Sequence, residues 1–148
     1  MRLTRASLMI LMALGMIGCD EKLSDLTGPT PNLEPTFSSI QHEIFDNSDS
    51  SGRSACIQCH TNVGRNPSGG LNLTSSTSYA ALVGTASLLK PGATRVVAGD
   101  PDNSYLIQKL QGSADIVGRR MPFTGPPYLT DGQIRVIKRW IEIGAPNN

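Results

Sequence analysis

Cys56-Ile57-Gln58-Cys59-His60 places two thiols three positions apart and an imidazole directly after the second. This is the spacing of covalent haem attachment. Two thioether bonds join the thiols to the haem vinyl groups, and the histidine lies under the iron as its proximal ligand. The same residue types have other uses. A thioredoxin-like redox pair also reads C-x-x-C, but it sits at a strand-to-helix turn of an α/β pattern, and no such pattern surrounds Cys56. A structural zinc site needs four protein ligands. Beyond Cys19 the chain has no thiol outside this pentapeptide, and His42 is its one other imidazole. A plain disulfide between Cys56 and Cys59 stays open.

An iron that only carries electrons needs a second axial ligand, normally a methionine sulfur or another histidine. Met1, Met9, Met12 and Met16 fall in the first eighteen residues, which leaves Met121. It stands in Arg119-Arg120-Met121-Pro122, a Pro- and Gly-rich context poorly suited to a core helix. That placement favours ligation over the alternative of a methionine filling a gap in the core. His42 competes, but it lies beside Glu43 and off the apolar stripe of its helix, and is read as a solvated imidazole. A His60/Met121 pair predicts a higher reduction potential than two histidines would give.

The elements that position these residues begin after an export segment. Residues 1–18 carry Arg2 and Arg5, then an apolar run from Leu8 to Ile17, which is too short to span a bilayer comfortably. Cys19 follows Gly18 directly, so the segment resembles a bacterial lipoprotein signal that is cleaved before a cysteine destined for acylation. Met16 is unusual three positions before such a cysteine. With Cys19 taking lipid and Cys56 and Cys59 taking haem, no thiol is left free in an oxidising compartment. The expected location is the periplasmic side of a bacterial membrane, anchored by several acyl chains, with inner or outer membrane left open. Residues 19–35, carrying Pro29, Pro31 and Pro35 without apolar periodicity, read as a tether.

One domain is expected over residues 36–148, all-α, with three to five helices and long loops around one haem. Phe37, Ile40 and Ile44 share a face of a first helix, 36–45, which Thr36 caps; residues 47–54 then form a polar loop. Further helices are expected over 76–83 and 102–110. The clearest covers the stretch from the capping box Thr130/Gln133 to the stop at Gly144 and Pro146, with Ile134, Ile137 and Ile141 inward and Asp131 and Arg135 pairing outside. Without residues 1–18 the formal charge falls from +1 to about −1, with no basic run, which argues against nucleic-acid binding. Three Phe, three Tyr and one Trp are few for a chain of 148 residues, and a haem would supply apolar bulk.

Several segments together resemble the monohaem class I cytochrome c family: 40–45 with Cys56 to His60, Gly99-Asp100-Pro101 with 104–110, Met121-Pro122, and 129–145 with Trp140-Ile141. The resemblance covers roughly residues 36–146. It implies a cytochrome c-like fold in which the first and last helices cross, Phe37, Ile44 or Phe45 meeting Ile137 and Trp140. It implies one haem c held by Cys56, Cys59, His60 and Met121, and a proline carbonyl, here Pro67, accepting the proximal ring N–H. The stretch 46–55 is longer and more polar than the family's usual link.

The implied function is single-electron transfer with redox partner proteins (a dehydrogenase, an oxidase or another cytochrome), steered by basic residues including Arg119 and Arg120, and not catalysis. Two alternatives remain at this point. One is a five-coordinate haem sensor or peroxidase-like protein; the other is a fixed haem subunit of a dehydrogenase or oxidase complex.

Overall fold

The computed structural model describes residues 28–148. The export segment, Cys19 and residues 20–27 lie outside the described residues.

Helix α1, Phe37–Ile40, runs without a break into a wider π-type turn, Gln41–Asp46. The Thr36 hydroxyl accepts from the Ser39 N–H. Two N–H groups that a helix start leaves without partners are also taken up, Phe37 donating to the Asn148 side chain at 3.0 Å and Ser38 to its backbone carbonyl at 2.8 Å. The stripe of Phe37, Ile40 and Ile44 is buried, and His42 is exposed beside Glu43. The wide turn also buries Gln41. Its side chain donates to the Leu73 carbonyl and accepts from Ser78 at the start of α2, Ser78–Leu82, which is shorter at both ends than the sequence predicts.

Helix α3, Tyr105–Gln111, begins later than expected. The Asp100 carboxylate accepts from the Asn103 backbone and side-chain amides, and the Ser104 N–H donates to the Pro101 carbonyl, so residues 100–104 close a turn instead. Gly112 ends α3 at φ +75°, where any other residue would be strained and its Cβ would press on Arg120 at 3.0 Å.

Helix α4, Asp131–Glu142, carries both hydrogen bonds of its capping box. Its apolar face buries Ile134, Ile137, Trp140 and Ile141. On its outer side the expected Asp131–Arg135 pair is absent. The ion pairs on this helix are instead Lys138 with Asp102 at 2.7 Å and Arg139 with Glu142 at 3.4 Å.

The core joins α1 to α4: Phe37 lies 5.4 Å from Trp140 between ring centroids and 5.1 Å from Tyr79. Among the described residues β pairing is confined to isolated bridges such as Val83 with Val96.

One expected boundary moves. Residues 30–33, expected in the tether, belong to the packed domain: Leu33 is wholly buried, and the Gln133 side chain donates to Thr30 at 3.0 Å. Apolar Leu33 outweighs the Pro-rich composition around it. The loop 47–54, expected to be polar, contains Arg53 at 0% exposure, because Asp49 and four backbone carbonyls satisfy its guanidinium.

Candidate functional site

Cys56–Gln58 makes a single tight helical turn. The Cys59 and His60 N–H groups both donate to the Cys56 carbonyl, at 3.2 and 3.0 Å, which closes the turn at the histidine. The two thiols differ. Cys59 is exposed, whereas the Cys56 sulfur is half-buried and donates to the Ile44 carbonyl at 3.4 Å. Burial pushes the Cys56 thiol up to about 11, against the opposing charge of Arg53. A thiol protonated at neutral pH is a poor nucleophile for disulfide exchange, which counts against a thioredoxin-like use.

His60 Nδ1 lies 2.9 Å from the Ser68 carbonyl. A carbonyl only accepts, so Nδ1 carries the proton and Nε2 keeps its lone pair. The expected acceptor was Pro67. Its carbonyl is occupied by the Gly70 N–H at 3.0 Å in a tight turn over 67–70, and the next carbonyl along the chain faces the ring. The loop is fixed further by Ser68 donating to the Cys59 carbonyl and Leu73 donating to that of His60. Burial lowers the His60 pKa below its ordinary value, with the Ser68 and Leu71 backbone groups acting against it and the charges of Arg95 and Lys109 adding to it. The imidazole is therefore neutral at neutral pH, the form a metal ligand requires.

Cys56, Cys59, His60 and Met121 all line one cleft of about 400 Å³. Its wall is largely apolar, with Phe45, Leu71, Leu82, Leu106 and Leu110 among the contributors. Met121 reaches it on a loop whose amide donates to the Lys109 carbonyl of α3 at 2.9 Å. Pro67 does not line the cleft. Cys19 lies outside the described residues.

Two cleft residues escape the sequence reading. Arg95 and Lys109, 7% and 8% exposed, form no ion pair among the described residues and donate to backbone carbonyls instead. Burial alone pulls both below their ordinary pKa values. Lys109 was detectable, since it follows Leu106 by three positions and so shares the apolar face of α3. Arg95 had no such signal in an irregular stretch.

Among the described residues no group of three or more His, Cys, Asp or Glu side chains could hold a metal ion, and no helix is long and apolar enough to cross a membrane. Neither models of known families, nor curated proteins, nor solved structures gave any match to this chain.

The residues present fit a haem. An apolar cleft carries two thiols at the C-x-x-C spacing, an imidazole with its tautomer fixed by the Ser68 carbonyl, and a soft thioether. These are the requirements of a covalently held, doubly ligated haem iron.

Proposed function

We propose that this chain is an exported, lipid-anchored c-type cytochrome of the monohaem class I kind, which passes single electrons through one haem held between His60 and Met121. The observation that carries the reading is the convergence of Cys56, Cys59, His60 and the distant Met121 on one apolar cleft, with His60 Nδ1 fixed on the Ser68 carbonyl.

The haem, when bound, supplies reversible one-electron chemistry at iron. The Cys56 and Cys59 thiols anchor it as thioethers. His60 offers Nε2, since its other nitrogen is engaged, and Met121 offers a thioether that favours ferrous iron. The leucines and Phe45 keep water from the cleft. Arg95 and Lys109 place two positive charges, without an ion pair among the described residues, beside His60, which would also favour the less positive iron and supports a relatively high potential. With His60 and Met121 both holding the group, it would be closed to substrate, and electrons would pass to partner proteins docking at the cleft. Cys19, acylated after removal of residues 1–18, would hold the domain on the periplasmic side of the membrane.

The test is the visible and near-infrared spectrum of the mature chain, produced with a c-type haem maturation system, in oxidised and reduced forms. A covalent low-spin haem with a weak sulfur-to-iron charge-transfer band is the expected result. A covalent high-spin haem that binds carbon monoxide at neutral pH would favour a sensor or peroxidase-like protein. No bound haem would return Cys56 and Cys59 to disulfide chemistry.

A further inference from the structure

Among the described residues Lys109 is the one buried lysine, and none of their acids pairs with it. Its Nζ donates to the carbonyls of Val117 and Arg119, the first at 2.9 Å, while its own carbonyl accepts the Met121 N–H at 2.9 Å. One residue therefore grips the 117–121 loop at three points along its length. The neighbouring residues of α3 add two more: the Tyr105 hydroxyl accepts from the Val117 N–H at 2.9 Å, and Arg120 Nε donates to the Leu110 carbonyl at 2.7 Å. Residues 122–128 have fewer hydrogen bonds among the described residues: Thr124 donates to Ser54 at the surface, and Gly125 bonds back to Pro122.

A charge in an apolar wall is costly unless every donor is engaged. An ammonium on a flexible stem suits the task, because it can meet carbonyls two residues apart in an irregular loop. Its place in the last turn of α3 lets the helix's own terminal carbonyls favour it. A methionine here would match the stem's bulk and leave the Val117 and Arg119 carbonyls without donors.

We infer that Lys109 is a positioning residue, a strap that fastens the 117–121 loop to α3 so that the Met121 sulfur stays on the iron. The inference rests on the proposed His60/Met121 ligation. It concerns how firmly Met121 is held, which that proposal leaves open.

The test compares the haem-loaded chain with Lys109→Met, Lys109→Gln and Lys109→Arg variants. Three quantities are read: the sulfur-to-iron band of the oxidised protein, the affinity for imidazole as a probe that displaces a loosely held methionine, and thermal unfolding by far-UV circular dichroism. The strap predicts that K109M and K109Q keep covalent haem, lose most of the band and bind imidazole at least tenfold more tightly, with K109R restoring part of both. A folded K109M with the full band and wild-type imidazole affinity would overturn it. If neither neutral variant folds, NMR of the wild-type decides, because a strapped ammonium gives slowly exchanging Nζ protons that are lost when imidazole displaces Met121. Absent or unaffected Nζ protons would equally overturn the strap. Met121→Ala separates the two ideas. Loss of the band in M121A with no change in K109M sinks the strap alone, whereas a wild-type chain without covalent haem sinks the ligation reading itself.

Discussion

Arg53 Nε and the Asp49 carboxylate meet at 2.9 Å, with side-chain exposures of 0% and 2%. The remaining guanidinium donors reach the Glu43 and Asn47 carbonyls through one nitrogen and those of Ile44 and Ser54 through the other. The pair thus closes the end of the π-type turn onto the backbone just before Cys56. It also shares the Ile44 carbonyl with the Cys56 sulfur. Removing the Arg53 guanidinium takes the charge partner from the buried Asp49 carboxylate and one donor from each of four backbone carbonyls. Arg53→Met should cost about 3–5 kcal/mol of stability, measured by urea unfolding of the haem-free or haem-loaded chain. A loss below about 1 kcal/mol would show that the loop relaxes to water.

The same pair sets an acid dependence. Burial alone would raise the Asp49 pKa, but hydrogen bonds from Ser51 and Arg53 and the charge of Arg53 outweigh it and hold the carboxyl below its ordinary value. A depressed folded pKa means that the unfolded chain takes up the proton first. Asp49 therefore contributes its stability above the ordinary carboxylate value, and this is lost as pH falls toward the folded one. Asp49→Asn should flatten the acid limb of stability against pH; an unchanged slope would assign that limb to other carboxylates.

Leu33 sets the domain boundary. It is wholly buried, and the adjoining Thr30 accepts from Gln133 of α4. Leu33→Ala should cost about 2–5 kcal/mol, and a chain begun at residue 36 should unfold at a lower temperature than one begun at residue 28. Equal unfolding temperatures would return residues 28–35 to the tether.

At α4 the Thr130 hydroxyl accepts from the Gln133 N–H at 3.2 Å, and the Gln133 side chain accepts from the Thr130 N–H at 2.8 Å. Thr130→Ala should cost about 1 kcal/mol. Gln133→Ala should cost roughly 1 kcal/mol more, because the same amide also serves buried Thr30. Urea unfolding of both variants orders them, and the reverse order would mean that Gln133 acts only as a cap.

These cases mark what the sequence made legible. α4 was readable to its ends because cap, stripe and stop are all local signals, and the Phe37, Ile40, Ile44 face was readable from spacing. The α3 start was not, because competition between the Asp100 turn and the helix is decided by side-chain hydrogen bonds. Arg53 and Leu33 sat in stretches whose average composition is polar, and only long-range partners bury them. At the site, the four cleft residues were legible from motif and elimination. The Ser68 carbonyl was missed by one residue because turn geometry chooses which carbonyl faces the ring. Arg95 was missed because a buried cation in an irregular stretch that bonds only to backbone leaves almost no trace in sequence, whereas Lys109 had left one, its place on the apolar face of α3.

Arg119 and Arg120 were expected to steer an acidic partner together, but the fold gives them different work. Arg120 stacks over Tyr128 at 4.3 Å and donates to the Leu110 carbonyl, so reversing its charge also disturbs the loop that carries Met121. Arg119 is exposed, and its guanidinium lies 5.1 Å from the ring of Phe123, which is itself 59% exposed at the cleft. Charge there acts on encounter rather than on the fold, and salt screens it. Arg119→Glu should slow electron exchange with an acidic redox protein several-fold at low ionic strength, and the difference should vanish at high salt with the unfolding temperature unchanged. Stopped-flow reduction across a salt series reads this directly. A rate that R119E leaves untouched at low salt would move the docking surface away from the Phe123 edge.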